Sequence, residues 1–409
     1  MRISRRKRIM TESGSKAMKR FLALSFVIVL FLGFIKSGSY TMLDSISNYF
    51  KQADYKKEGA IIVSGMENEF NSSLWNKKEL INLNGSMAKL LHIQGYYGDM
   101  GMYVTDDGYI VSAYDQTTTD YEYEQTVAFR DFLESNGIRL LYVNEPAKYI
   151  DDSEFTSEFG VDTFTNRNMD LFLNRIREAG INTVDLRDNI REEQINVKDL
   201  FYRTDHHWTA PAGLWASRIM AEALNDYCGY DIDPTILDPD QFETREWKDC
   251  WLGEQGRKLA VTYTGLDDYT EVKPTFETDY TFISGDGTAH NGNFNEFINE
   301  WTYNTEIDVY DSPSWHYSYN RLIGTNNDVE KGKILLVGDS YDNVTQCFLS
   351  LCVNEIDSLV LRGFDDSFSL RDYIINNGYD TVIIAYAQFM LGSHDDPSSA
   401  NYRMYSFEY

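Results

Sequence analysis

A chain of 409 residues with 43% apolar and 14% aromatic side chains can bury a core of one large domain or two, so a disordered or low-complexity protein is excluded. Its net charge of −27 is unevenly spread: residues 1–36 hold nine Lys or Arg against the single acid Glu12, and the remainder holds 28 basic and 63 acidic residues. A body this acidic repels the phosphate backbone, which excludes nucleic acid as a partner.

In chain order, the basic start leads into Phe21–Ile35, 15 residues without a charge. This is short against the roughly 20 apolar residues of a membrane span, but Arg20 and Lys36 can snorkel at its ends. A cleaved secretory signal is the rival reading. The long basic lead and the lack of a small-x-small site after Ile35 favour an uncleaved anchor, a single pass at the cell membrane. In both readings the basic flank stays inside and the acidic body is extracytoplasmic.

Residues 37–90 read as a polar, partly helical stalk, and 91–409 as the main domain. Tyr103–Val111 reads as a hairpin turning at Asp107-Gly108. An α/β alternation follows: helix 120–136, strand Ile138–Val143, helix 164–179 closing at Gly180, strand Ile181–Leu186, helix Ala212–Tyr227. Residues 256–330, rich in Tyr, Thr, Asp, Asn and Gly, break the rhythm. They suggest a β-rich insertion beside the active site, with β-type runs at Ala260–Tyr263 and Asp279–Ile283. The alternation returns as strand 333–338, helix 341–353, strand 356–361, helix 367–377 and strand 380–386. The expected fold is α/β, a mainly parallel sheet with helices on both faces and its functional edge at the carboxyl ends of the strands.

Cys228, Cys250, Cys347 and Cys352 match no zinc spacing. Cys347 and Cys352 read as buried apolar residues, and Cys228 with Cys250 is the candidate disulfide.

Two segments carry the chemistry. Thr204-Asp205-His206-His207-Trp208-Thr209 sets a carboxylate two residues from an imidazole, and Gly338-Asp339-Ser340 ends the apolar run Ile334–Val337. In an extended loop Asp205 and His207 share a side and His206 faces elsewhere. Asp205 can then orient His207, whose other nitrogen accepts the Ser340 proton, a set suited to acyl transfer. The bland readings are that Asp205, Asp339 or Ser340 caps a turn or helix and that the histidines pack. Metal ligation by Asp205, His206 and His207 is a third reading, disfavoured because consecutive residues rarely all reach one ion. No metal or organic cofactor is expected. Trp208 pins the loop or, less readily, stacks on a sugar. Asn343, one helical turn beyond Ser340, donates into the site or lies on the helix surface. Arg362, at a strand end, meets an anionic or sugar oxygen or forms a surface ion pair.

Both segments, in this order, resemble the DHHW-motif proteins of Firmicutes, relatives of the SGNH-hydrolase-like proteins of alginate O-acetylation. The resemblance spans roughly residues 95–390, and Glu355–Arg362 leading to Tyr379–Ile384 supports it. It implies an SGNH-hydrolase-like fold with Ser340 as nucleophile, His207 as base and Asp205 as its partner. The family commonly has Lys before the Asp-Ser pair; Gly338 here is nearer the active acetyltransferase pattern. The implied function is O-acetylation of a cell-wall or secreted polysaccharide through an acyl-Ser340, with a membrane-bound O-acyltransferase as donor. The alternatives are an O-acetylesterase using the same residues and a non-catalytic carbohydrate-binding scaffold.

Overall fold

In the computed structural model the described residues are 76–96, 101–283, 288–298, 308–311, 323–365, 367–392 and 401–408. The basic tail, the apolar run 21–35 and most of the expected stalk lie outside them. Among the described residues no helix is long and apolar enough to cross a membrane. The chain divides into two compact units, Met1–Asn84 and Gly85–Tyr409. Of the first, the described part is the opening of helix α1 (Lys77–Leu90).

The second unit begins with a three-stranded antiparallel sheet of β1 (Gly95–Tyr96), β2 (Met102–Val104) and β3 (Ile110–Ser112), in which β2 and β3 form the expected hairpin. Then follow α2 (Asp120–Ser135), β4 (Arg139–Glu145), α3 (Asp152–Phe159), α4 (Thr165–Glu178), β5 (Asn182–Asp185) and α5 (Leu186–Glu192). Helix α6 (Ala210–Cys228) starts where the Thr209 hydroxyl accepts from Ala212 N–H and Pro211 presets the first turn; it stops at left-handed Gly229.

A second run contains β6 (Phe242–Trp251), α7 (Glu254–Leu259), α8 (Val261–Thr264), β7 (Asp267–Pro274), β8 (Tyr280–Ile283), β9 (Ala289–Gly292) and β10 (Ile323–Asn326). The chain closes with β11 (Lys333–Gly338), α9 (Asp342–Leu349), β12 (Glu355–Leu359), α10 (Leu370–Asn377) and β13 (Thr381–Ala387).

The central sheet has eight strands in the order β5-β4-β13-β11-β12-β10-β8-β9. The first five are parallel. Strands β10, β8 and β9 are antiparallel additions beyond β12. The sheet is therefore mixed, not mainly parallel throughout, because the excursion lends three strands to its edge. Residues of β11 alternate between two cores. Ile334 and Leu336 join Ala216, Met220 and Phe348 on one face, while Leu335 and Val337 join Phe129, Phe172 and Ile374 on the other. Burial on both faces explains why β11 and β13 read as unbroken apolar runs.

Three further expectations change. The excursion begins at β6, whose hairpin with β7 forms a separate two-stranded sheet. Ala260–Tyr263 is not a strand: Ala260, at φ +107°, separates two short helices. All four cysteines are free, so Cys228 and Cys250 are not bridged; Cys347 and Cys352 are buried as expected.

Candidate functional site

The Asp205–His207 segment is a bend, not an extended strand. It is closed at its base by a bridge between Phe201 and Trp208 and by Tyr202 N–H donating to the His207 carbonyl at 3.1 Å. From the other side the excursion clamps it. Gly253 N–H donates to Thr204 Oγ1 at 2.7 Å, Glu254 N–H to Asp205 Oδ2 at 2.7 Å, and Gly256 N–H to the Thr204 carbonyl at 2.8 Å. The buried Asp267 carboxylate takes the backbone N–H groups of Arg203 (2.6 Å) and Thr204 (2.8 Å) together with the Thr204 hydroxyl. A Cβ on Gly253 would lie 2.4 Å from Asp205 Cβ and 2.6 Å from the Thr204 carbonyl oxygen, so only glycine permits this approach.

Ser340 sits at the carboxyl end of β11, half-buried, two residues before α9. Its loop is shaped by Asp339, which accepts from Tyr341 N–H at 2.9 Å and from Ala387 N–H at 2.8 Å, and by Asp342, which accepts from Asp339 N–H at 3.0 Å. The Asp342 carboxylate occupies the space that a side chain at 338 would need: a Cβ there would be 1.9 Å from Oδ2. Gly338 is thus a packing requirement.

Two contacts bolt the segments together. Trp208 Nε1–H donates to the Tyr341 carbonyl at 2.9 Å, and the Tyr341 hydroxyl donates to the His206 carbonyl at 2.5 Å. With the loops so fixed, His207 Nε2 lies 2.7 Å from Ser340 Oγ, and His207 Nδ1 makes a short hydrogen bond to Asp205 Oδ1. Hydroxyl, imidazole and carboxylate form one hydrogen-bonded chain at the sheet edge. Such a chain can draw the hydroxyl proton onto Nε2 while the carboxylate holds the ring's tautomer.

Electrostatics favour an ionised carboxylate in that chain. Burial pushes Asp205 up, but the charge and hydrogen bond of His207, the proximity of His206 and the Glu254 amide outweigh it and hold the group well below the usual carboxylate range. Burial, reinforced by His207, pushes His206 down to about 3, so it is neutral at pH 7. Beside them the buried Lys148 donates to the carbonyls of Ile110 (2.8 Å) and Arg203 (3.3 Å), and burial lowers it to about 7. Beneath the Ser340 loop, the buried carboxyl groups of Glu145, Asp339 and Asp342 offer oxygens within 4.8 Å of one another. Burial raises all three; Asp342 and Asp339 push Glu145 up further.

The remaining candidates separate. His206 does not face elsewhere: its ring lies 3.8 Å, centroid to centroid, from that of His207, and its Nδ1 is 3.5 Å from Asp205 Oδ1. Asp205, His206 and His207 do bring donor atoms within 4.8 Å, but both ring nitrogens of His207 are already engaged by Asp205 and Ser340. Trp208 is 1% exposed and bonded to the Tyr341 carbonyl; it pins the loops and offers no face to a sugar. Asn343 is half-buried in the first turn of α9. Arg362 is exposed after β12, and its field lowers both Asp339 and His206. Sequence reasoning missed Asp267, Gly253, Lys148 and Glu145. Thr204 stood inside the motif and could have been found; Asp267 and Gly253 lie in a stretch without periodicity.

Comparison with known proteins bears out the resemblance. Residues 102–249 match the family described as SGNH hydrolase-like domain, acetyltransferase AlgX, a match that spans Asp205–Trp208 and ends before Ser340. The alginate biosynthesis protein AlgX of Pseudomonas aeruginosa is 28% identical over 166 residues, covering 39% of this chain and 33% of that protein. Its counterpart in Pseudomonas syringae pv. tomato is 26% identical over 205 residues, covering 45% and 42%. The chain therefore spans well under half the length of these relatives. Among solved structures, Bacillus cereus PatB1 with a sulfonyl adduct superposes with a TM-score of 0.59 at 15% identity, covering 76% of this chain and 100% of that one. A DHHW family protein from Eubacterium siraeum gives 0.52 at 15% identity, covering 73% and 93%. These likenesses establish an SGNH-like α/β fold with a mixed central sheet.

Proposed function

We propose, from the likeness of residues 102–249 to an SGNH hydrolase-like domain of AlgX type, that the protein is an extracytoplasmic, serine-dependent O-acyltransferase that O-acetylates a cell-wall or secreted polysaccharide. The observation that carries the reading is the 2.7 Å contact of His207 Nε2 with Ser340 Oγ, backed by Asp205 on the far side of the ring. In the first half, Ser340 Oγ attacks the acyl carbonyl and His207 takes its proton. The donor's C–O bond breaks, and the proton passes to the leaving oxygen. In the second half, His207 deprotonates a sugar hydroxyl, which attacks the acyl-Ser340 ester. The acyl–Oγ bond breaks and the proton returns to Ser340. Asp205, kept ionised, stabilises the imidazolium in both halves.

The donor is proposed to be a membrane-bound O-acyltransferase, and Phe21–Ile35 the anchor that keeps the domain beside it. The test is to incubate the full chain with an activated acetyl ester, with and without an oligosaccharide acceptor. Expected are an acetyl mass on Ser340 and faster turnover with acetylated sugar as product. Discharge to water alone, unaffected by sugars, would make the protein an esterase; saturable glycan binding with no acyl-enzyme would make it a scaffold.

The clamp on Asp205 provides a second check. Gly253→Ala is expected to displace the carboxylate and slow Ser340 acylation about tenfold or more, with a stability loss of about 1–3 kcal/mol from overpacking. Burst kinetics and a thermal melt measure the two; an unaltered burst would mean that Asp205 does not depend on this turn.

A further inference from the structure

A small cavity lies beside the two loops that carry the reacting groups, lined by neither Ser340 nor His207 themselves. Two of its walls, His206 and Tyr341, are the chain neighbours of His207 and Ser340; Ile110, Val111, Phe155 and Phe389 supply its larger apolar faces, and polar side chains most of the remainder. Its volume is about 50 Å³, which at about 10–15 Å³ per water-sized group holds about three to five such groups.

The polar side chains around it are mostly committed to one another. Asn166 donates to the Tyr149 carbonyl at 3.1 Å and to Asp152 at 3.0 Å, and the Thr163 and Thr165 hydroxyls pair at 3.0 Å. Lys148 already serves two carbonyls. Gln255, 4% exposed, keeps Oε1 buried without a partner. That residual capacity suits one or two small polar partners. A sugar ring would be too large, and most of its hydroxyls would be left unmatched at a cost for each. A short apolar chain fits both the size and the walls.

We propose that this cavity receives the acyl chain carried on Ser340, and that Val111 and Phe155 limit that chain to acetyl or little more. The proposal rests on Ser340 being the acylated residue. Phe155 is suited to the limiting role because it is rigidly held: it is 1% exposed and packs edge-on against Tyr103 and Tyr149, away from the two reacting loops.

The experiment uses the full chain and 4-nitrophenyl esters of two, three, four, six and eight carbons, reading the nitrophenol burst and the mass gained on Ser340. In the unaltered protein the acylation rate should fall by about tenfold or more between acetyl and hexanoyl. Phe155→Ala and Val111→Ala should each raise the hexanoyl-to-acetyl ratio by about tenfold, whereas Ala147→Leu, a half-buried position on the same wall, should lower the butyryl-to-acetyl ratio. Octanoyl reacting as fast as acetyl overturns the proposal, as do ratios unmoved in all three variants with native melting behaviour. Failure of every ester to acylate Ser340 overturns instead the reading on which it rests, so the two failures are distinguishable.

Discussion

Ser340→Ala is expected to abolish both the acetyl adduct and sugar acetylation, and His207→Ala to lower acylation by about 10³-fold or more. Because Ser340 and His207 form one relay at 2.7 Å, the double variant should be scarcely slower than either single one; residues acting as a unit lose their joint effect at the first deletion. Both side chains are only partly load-sharing in the fold. The loops are held by Trp208, Tyr341, Thr204 and Asp267, so the melting temperature should change little in Ser340→Ala, whereas His207→Ala leaves the buried Asp205 carboxylate without its ring partner and should melt lower. Burst amplitude by mass spectrometry, with melting as the companion measurement, checks this. A full acetyl adduct in Ser340→Ala would move the nucleophile elsewhere.

Glu145→Gln is expected to stabilise the protein at neutral and alkaline pH and to flatten its stability profile. Both carboxyl oxygens of Glu145 are buried beside Asp339 and Asp342, and no N–H reaches them; Glu145 and Asp342 can share a hydrogen bond only when one of them holds a proton. Burial, then Asp342 and Asp339, raise its affinity for a proton in the folded state. A carboxyl whose folded pKa exceeds its unfolded value near 4.3 contributes stability below that value and loses it as the pH climbs through the folded one. Asp339 and Asp342 act in the same direction. Asp205, held low, works oppositely: its contribution is present above the ordinary carboxylate range and fails only in acid. Between pH 5 and 8 the buried trio is opposed by His206 and Lys148, whose folded proton affinities burial lowers. In chemical denaturation the difference between variant and parent, rather than either profile alone, therefore isolates Glu145. Gln, neutral and isosteric, should recover on the order of 1–3 kcal/mol at the upper end. A variant that follows the parent's slope throughout would exclude Glu145 as a proton-linked group.

Much of this architecture was readable from residue order. The strand 333–338 coincides with β11, and Gly180 ends α4 as expected, because buried parallel strands and glycine stops leave local signatures. Asp205, His207 and Ser340 could be singled out because their side chains carry uncommon chemistry in adjacent positions. Of the antiparallel edge, β8 (Tyr280–Ile283) lies within the expected β-type run Asp279–Ile283, but β9 and β10, four residues each, are too short for periodicity to separate from loop. The conformation at His206 was misjudged because the i, i+2 rule applies to extended backbone, and a bend closed by the Phe201–Trp208 bridge obeys different geometry. Support from Asp267 was invisible for a further reason. It reaches Thr204 across 63 residues through one carboxylate, and such a contact has no local pattern.

The bolting of Trp208 to Tyr341 and of Tyr341 to the His206 carbonyl ties together stretches 133 and 135 residues apart. The Ser340 hydroxyl therefore meets the His207 ring only once the C-terminal third has been built into the sheet. A nascent or clipped chain ending before β11 holds the imidazole and carboxylate without the hydroxyl that completes their hydrogen-bonded chain. The order of the strands thus makes completion of the Asp205–His207–Ser340 chain depend on the C-terminal part of the sheet.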